Sequence, residues 1–355
     1  MRFGIITIND NRNLGNRLQN YAVQETLMRL APSAAVETIR NTNKKQRGES
    51  LKTRIKNLLR DCKYYKRTYN FSAFNKNIHF SKKNYDASDS NLRLNGDYNY
   101  FLVGSDQVWN PNYGWLNAID LLSFADDDKR IAFSASYGVS EIPEEYKEKT
   151  ARELKKFKAI SVREDRGKEI TELLTGRNDI EVLVDPTMLL SAEEWGKLAK
   201  KPKALKSSKP IILKYFLGGL SKEKDEAIRK IAEQKNCQII DIFDKKSDFY
   251  SCGPSEFLYL EKNAFLICTD SFHSSVFAII NEKPFVVFNR EGNHAKMNSR
   301  LETLISKFNL KNRWFNGKEI TKENLGVNYA ETKKNLKKEQ EKSLNFLKEA
   351  LDIKD

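Results

Sequence analysis

Short apolar runs bounded by turn formers recur along the chain, and helical patterns fill the gaps between them. The first run, Arg2 to Ile8, has strand length. The polar segment NDNRNLGN follows, and a helical pattern then runs from about Arg17 to Leu30, carrying Leu18, Tyr21, Ala22 and Leu27. Val36 to Ile39 predicts a second strand. Strand, helix, strand in so short a span is a βαβ unit, which implies a parallel sheet with a right-handed crossover. The alternation resumes with Tyr100–Val103, which ends in Gly104-Ser105-Asp106, and with Arg130–Ser134. It continues with Ala159–Val162, ending at Arg163, and with Glu181–Val184, ending in Asp185-Pro186-Thr187.

Lys200 to Lys209 (KKPKALKSSK) is rich in Lys and poor in apolar residues, so it reads as a linker. The pattern then restarts. Strands are predicted at Ile211–Phe216, Gln238–Ile242, Ala264–Cys268 and Pro284–Phe288, and helices from Ser221, Pro254 and about Phe272. Tyr329 to Leu351 reads as a charged helix with Leu336, Leu344, Phe346, Leu347 and Leu351 available for packing. The expected class is therefore α/β: two Rossmann-like doubly wound domains facing a cleft, a GT-B-like architecture, with a C-terminal helix. The expected boundaries are an N-terminal domain at 1–199 with a basic helical insertion at 40–97, a linker at 200–209, a second domain at 210–328 and a terminal helix at 329–355. A length of 355 residues suits two domains.

Charge changes this picture locally. Lys and Arg number 62 against 48 Asp and Glu, a net charge of +14. Of this, +9 falls between Arg40 and Arg67, where Leu51, Ile55, Leu58 and Leu59 recur at helical spacing. A basic amphipathic helix there suits an anionic membrane surface or a solvated face. Nucleic acid is disfavoured, because no helix-turn-helix, RNA-recognition or zinc-finger pattern occurs. No apolar stretch approaches the roughly 20 residues of a membrane span. MRFGIITIND lacks the features of a signal peptide, and Cys62, Cys237, Cys252 and Cys268 form no CxxC pair. The expectation is a cytoplasmic protein with reduced thiols and no metal site, peripheral at the inner membrane face if the basic helix docks there.

In open parallel sheets, ligands bind beyond the carboxyl ends of the strands, so the residues just after each strand carry the candidate chemistry. Asn13-Leu14-Gly15-Asn16 opens the first helix and suits an anion or an ordinary turn. In Gly104-Ser105-Asp106-Gln107-Val108-Trp109, Asp106 suits a proton acceptor or a helix cap, and Trp109 a sugar-stacking face or the core. Arg163 offers a fixed guanidinium to an anion, or a partner to Glu164 or Asp165. Gly218-Gly219 makes a second glycine turn with Lys214 nearby. The densest polar cluster is Thr269-Asp270-Ser271-Phe272-His273-Ser274-Ser275, which places His273 in the first turn of an apolar helix.

The ordered segments NLGNRLQNYAVQ, FLVGSDQVWNP, FKAISVRE, VLVDPTMLL, YFLGG and LICTDSFHSSVFAII resemble the polysaccharide pyruvyl transferase family, over roughly residues 1 to 310. The resemblance implies a GT-B-like fold. It also implies transfer of the enolpyruvyl unit of phosphoenolpyruvate onto two hydroxyls of a sugar, giving a pyruvate ketal on a cell-surface glycan or its lipid-linked precursor. Donor-binding arginine and key histidine would be Arg163 and His273. Many family members carry R-x-H where this chain has Ser271-Phe272-His273, so Lys214, Lys283 or Arg290 would have to supply the missing charge. On this reading His273 is the acid/base, and Asp106 a base or sugar ligand. Arg163, Ser271, Ser274 and Lys214 bind the donor's anionic groups, while Asn16, Gln107 and Trp109 meet the acceptor. Asp185 orients acceptor or loop, or caps a turn. No cofactor or metal is expected, and the acceptor sugar would ride on a polyprenyl diphosphate. The rival is a GT-B glycosyltransferase using a nucleotide sugar.

Overall fold

The computed structural model describes residues 1–9, 13–42, 59, 62–86, 94–114, 116–291, 299–326 and 328–353. In chain order the elements are β1 (Arg2–Ile6), α1 (Leu14–Leu30), β2 (Ala35–Thr42), α2 (Tyr65–Phe74), β3 (Phe80–Asp86), β4 (Tyr100–Val103) and β5 (Arg130–Ala135). There follow α3 (Glu144–Leu154), β6 (Ala159–Val162), α4 (Asp165–Thr175), β7 (Glu181–Val182) and α5 (Ala192–Leu198). Then come β8 (Ile211–Tyr215), α6 (Lys222–Gln234), β9 (Gln238–Asp241), α7 (Pro254–Asn263), β10 (Ala264–Thr269), α8 (Phe272–Ile280), β11 (Phe285–Val287), α9 (Ser299–Lys307) and a last long helix, α10 (Ala330–Ala350).

The chain divides into two units. The first comprises 1–63, 75–189 and 339–355, and the second 64–74 and 190–338. In the first, seven parallel strands take the order β3-β2-β1-β4-β5-β6-β7, the doubly wound order whose direction reverses between β1 and β4. Its apolar strand faces bury Phe3, Ile5, Leu102, Ile131 and Phe133, and the end of α10 covers them with Phe346, Leu347 and Leu351. In the second unit, four parallel strands take the order β11-β10-β8-β9, reversing between β8 and β10. Ile212, Ile228, Ile231, Leu266 and Val286 form its core.

Three expectations need revision. β3 is an edge strand, and its sequence FSKKNYD carries too few apolar residues to announce itself, as suits an edge. The segment expected as a linker is pinned to the second unit: Lys200 N–H donates to Ser255 O at 2.9 Å, and Pro202 and Leu205 are buried. Tyr65–Phe74 belongs to the second unit rather than to an N-terminal insertion, because Arg67 donates to Tyr250 O (3.0 Å) and Cys252 O (2.9 Å). The basic helix expected around Leu51–Leu59 lies, except for Leu59, outside the described residues.

Candidate functional site

The carboxyl edge of each sheet carries a polar cluster. At the first sheet's reversal point, β4 runs into Gly104, whose φ is +130°. A Cβ there would stand 2.1 Å from Phe133 O, so only glycine fits. The Gly104–Ser105 peptide is cis, and Asp106 has a left-handed φ of 66°. Such backbone is uncommon outside glycine, though Asp tolerates it better than most residues. The turn is held from below by α1: Gln19 accepts from Ser105 N–H at 2.9 Å and donates to Thr7 Oγ1 at 2.8 Å.

This turn brings three strand ends together. Arg163, after β6, donates to Asp185 Oδ2 at 2.5 Å and to Asp106 Oδ1 at 3.2 Å. Ser105 Oγ donates to the same Asp185 oxygen at 3.1 Å, and Thr187 caps the other Asp185 oxygen through its N–H (3.0 Å) and hydroxyl (2.6 Å). All three charged groups are buried. Burial opposes the guanidinium's charge, but Asp185 and Asp106 overcome it and raise the Arg163 pKa above its ordinary value. The guanidinium that the sequence offered to the donor is thus engaged by two carboxylates. Glu164 faces elsewhere, accepting from Ser136 Oγ (2.8 Å) and Tyr137 N–H (3.2 Å) to clamp the loop after β5.

At the second sheet's reversal point, Asp270 follows β10 and spans the crevice to β8. Its two oxygens accept from Leu217 N–H (2.7 Å) and Gly218 N–H (2.8 Å). Arg290, after β11, lies against the same residue, with Nη2 donating to Asp270 O at 3.0 Å and Nε 3.4 Å from Oδ2. Gly218 is required by this approach, since a Cβ would lie 2.7 Å from Arg290 Cγ. Ser271 occupies the N-cap position of α8, and its N–H donates to Thr269 Oγ1 at 2.9 Å. His273 follows in the first turn, 7% exposed, edge-to-face with Phe272. A helix N-terminus can bind an anion, and a histidine in its first turn can move a proton beside it.

A sequence profile described as polysaccharide pyruvyl transferase matches residues 13–292. The chain belongs to the polysaccharide pyruvyl transferase family. Comparison with curated proteins gives no match. Among solved structures, the chain resembles UDP-GlcNAc 2-epimerase from Neisseria meningitidis bound to UDP-GlcNAc, at TM-score 0.53 and 11% identity, covering 99% of this chain and 94% of that one. It also resembles a structure named for a UDP-N-acetylglucosamine 2-epimerase of Listeria monocytogenes, at TM-score 0.51 and 13% identity, covering 99% and 89%. These likenesses establish the GT-B-like α/β fold, with its seven-stranded parallel sheet and C-terminal helix.

For this pyruvyl transferase, family membership makes it an enzyme of polysaccharide biosynthesis with a sugar acceptor. Among the described residues, no helix is long and apolar enough to cross a membrane. Asp106, Arg163 and Asp185 come together, and the charge of Glu164 adds to the attraction on the guanidinium. Ser271 and His273 open α8, and Arg290 lies against Asp270, the residue before that helix's N-cap. Several expected contacts do not fit their placement. Trp109 is fully buried, its indole N–H donating to Asp120 O and its ring packed on Tyr137 and Phe157, so it offers no face to a sugar. Ser274 turns into the α7–α8 interface and donates to Glu261 at 2.6 Å. Lys214 is held by Asp225 (2.7 Å) and Asp241 (3.6 Å). Asn16 and Gln107 are placed without deciding their roles: Asn16 is buried at the start of α1 with its N–H on Asn13 Oδ1 (3.3 Å), and half-buried Gln107 accepts from Asn110 Nδ2 at 2.6 Å. Gln19, the brace under the Ser105 turn, is not marked out by the sequence pattern. Its only signal is a polar residue on a helix face that the hydrophobic pattern leaves undefined.

Proposed function

We propose that this pyruvyl transferase takes phosphoenolpyruvate as donor and forms a cyclic pyruvate ketal across two hydroxyls of a glycan sugar. The observation that carries this reading is His273 in the first turn of α8, beyond the carboxyl edge of β10, with Arg290 held on Asp270 just before that helix. Helix N–H groups and a guanidinium suit a phosphate or carboxylate. Arg290 takes the role of the arginine that many relatives carry two residues before the histidine. His273 protonates the donor's methylene carbon, so the carbon bearing the phosphate oxygen becomes electrophilic. One sugar hydroxyl adds there and gives up its proton. The second hydroxyl then displaces inorganic phosphate, losing its own proton and closing the ketal. The chemistry supplied is proton transfer and charge stabilisation, which these side chains can provide without a metal. The acceptor belongs with the first unit, where Asp106 is oriented by Arg163. We further propose that the acceptor is lipid-linked and that the protein acts at the inner membrane face.

The test is incubation with phosphoenolpyruvate and lipid-linked glycan intermediates, reading phosphate release and the mass of the pyruvyl adduct. Thermal stabilisation by nucleotide sugars, with none by phosphoenolpyruvate, would overturn the donor assignment.

A further inference from the structure

A groove of about 860 Å³ in the second unit lies apart from the α8 cluster. One wall is α2. Its buried side, Arg67, Phe71 and Phe74, locks the helix down, and Arg67 also sits over the rings of Phe71, Phe243 and Tyr250. Its other side presents Tyr65 and Tyr69, 62% and 70% exposed, one helical turn apart. The opposite wall is the 200–206 segment, with Lys200, Lys203 and Lys206. Both walls are tied to the chain around the start of α7: Asn70 Nδ2 donates to Ser251 O just before the helix (2.9 Å), and Lys200 N–H to Ser255 O in its first turn (2.9 Å). Close packing fixes this junction, since a Cβ on Gly253 would lie 2.7 Å from Asn70 Cβ. The groove is therefore preformed, and its volume suits a ligand of a few sugar rings.

Its chemistry is two-sided. Exposed tyrosines one turn apart give flat apolar faces with polar rims, the surface on which sugar rings stack. Lys66 and the three lysines opposite are compact, well-solvated cations suited to carboxylates. They outnumber the acidic lining residues, Asp248 and Glu256, and Glu256 already accepts from Gly253 N–H at 3.0 Å. We infer that this groove binds a carboxylated oligosaccharide segment. The identification of its ligand rests on the pyruvyl-transfer reading: each ketal adds a carboxylate to the glycan, so a modified chain is anionic at every modified repeat. A groove that holds such a segment keeps the enzyme on a polymer it has begun to modify.

The probe is a hexameric oligogalacturonate, titrated by calorimetry against the intact protein, with neutral maltohexaose, inorganic diphosphate and phosphatidylglycerol vesicles as comparisons. The variants are Tyr65→Ala/Tyr69→Ala and Lys203→Glu/Lys206→Glu, all at exposed positions, with circular dichroism confirming the fold. Binding of the carboxylated hexamer, weakened tenfold or more by each double variant and not matched by maltohexaose, is the expected result. Equal affinity for the neutral hexamer, unchanged binding in both variants, or loss of vesicle or diphosphate binding alone would overturn the inference. Thermal stabilisation by phosphoenolpyruvate, measured on the same variants, separates the two ideas. If only the groove reading is wrong, that stabilisation persists without oligosaccharide binding; if only the donor reading is wrong, the oligosaccharide binds without it.

Discussion

Replacing Asp185 with Asn tests whether the Arg163 cluster is a buried electrostatic latch. Asp185 is completely buried, and its two oxygens accept from Arg163, Ser105, and Thr187 N–H and Oγ1. An Asn keeps one acceptor oxygen and turns the other into a donor. That donor must then face either the guanidinium or the Thr187 N–H. At an effective dielectric of about 20, unit charges 2.5 Å and 3.2 Å apart attract by about 7 and 5 kcal/mol. Desolvation offsets much of this while both partners are present. Removing one partner leaves the guanidinium desolvated but undercompensated, and the typical cost is about 3–5 kcal/mol. With a urea slope near 3 kcal/mol/M, the first unit's midpoint should fall by about 1–2 M. Asp106→Asn should cost less, because its contact is longer. The double variant should be non-additive, since both carboxylates hold one guanidinium. The assay is urea unfolding followed by circular dichroism at neutral pH. A midpoint within about 0.3 M of wild type for Asp185→Asn would refute the latch.

Four other outcomes are expected. His273→Ala should lower turnover by roughly 10²-fold or more with folding intact, measured as phosphate release. Arg290→Ala should raise the KM for phosphoenolpyruvate by roughly 10- to 100-fold, since a charge-assisted hydrogen bond contributes about 1.5–3 kcal/mol; steady-state kinetics with Arg290→Lys as partial rescue checks it. Asp120 is fully buried, and burial raises its pKa to about 8, so the folded state keeps a proton that the unfolded chain releases. Its contribution is greatest at acid pH and is lost as pH rises towards 8, so the stability gain of Asp120→Asn over wild type should grow by about 1.4 kcal/mol per pH unit between pH 5 and 7, read from urea titrations. Gly104→Ala should destabilise the first unit by several degrees or prevent folding, because the new Cβ meets Phe133 O; thermal unfolding reads this directly.

The βα alternation was legible because buried parallel strands are short apolar runs with turn formers after them. β3 was not, since an edge strand such as Phe80–Asp86 is specified by its neighbour β2 more than by its own residues. Asp106, Arg163, Asp185 and His273 each stood out by position after a strand. That Arg163 pairs with Asp106 and Asp185 depends on the lateral order of β4, β6 and β7, which periodicity does not report. Trp109 shows the converse. Its place after a strand suggested a ligand, while its burial follows from Tyr137 and Phe157, contributed by distant segments. The polar face of α1 was opaque for a similar reason: Asn16, Gln19, Asn20 and Gln24 are buried, so the usual equation of polar with exposed fails there.

The way the chain is shared between units bears on its synthesis. The polypeptide leaves the first unit at Tyr64, returns at Asn75, leaves again at Leu190 and returns at Glu339. Phe346, Leu347 and Leu351 fill the first unit's core, yet they emerge from the ribosome after the whole second unit. The N-terminal sheet therefore cannot finish its packing until the second unit has been translated. Until those residues arrive, its apolar face stays uncovered, and this is the interval in which chaperones would meet it.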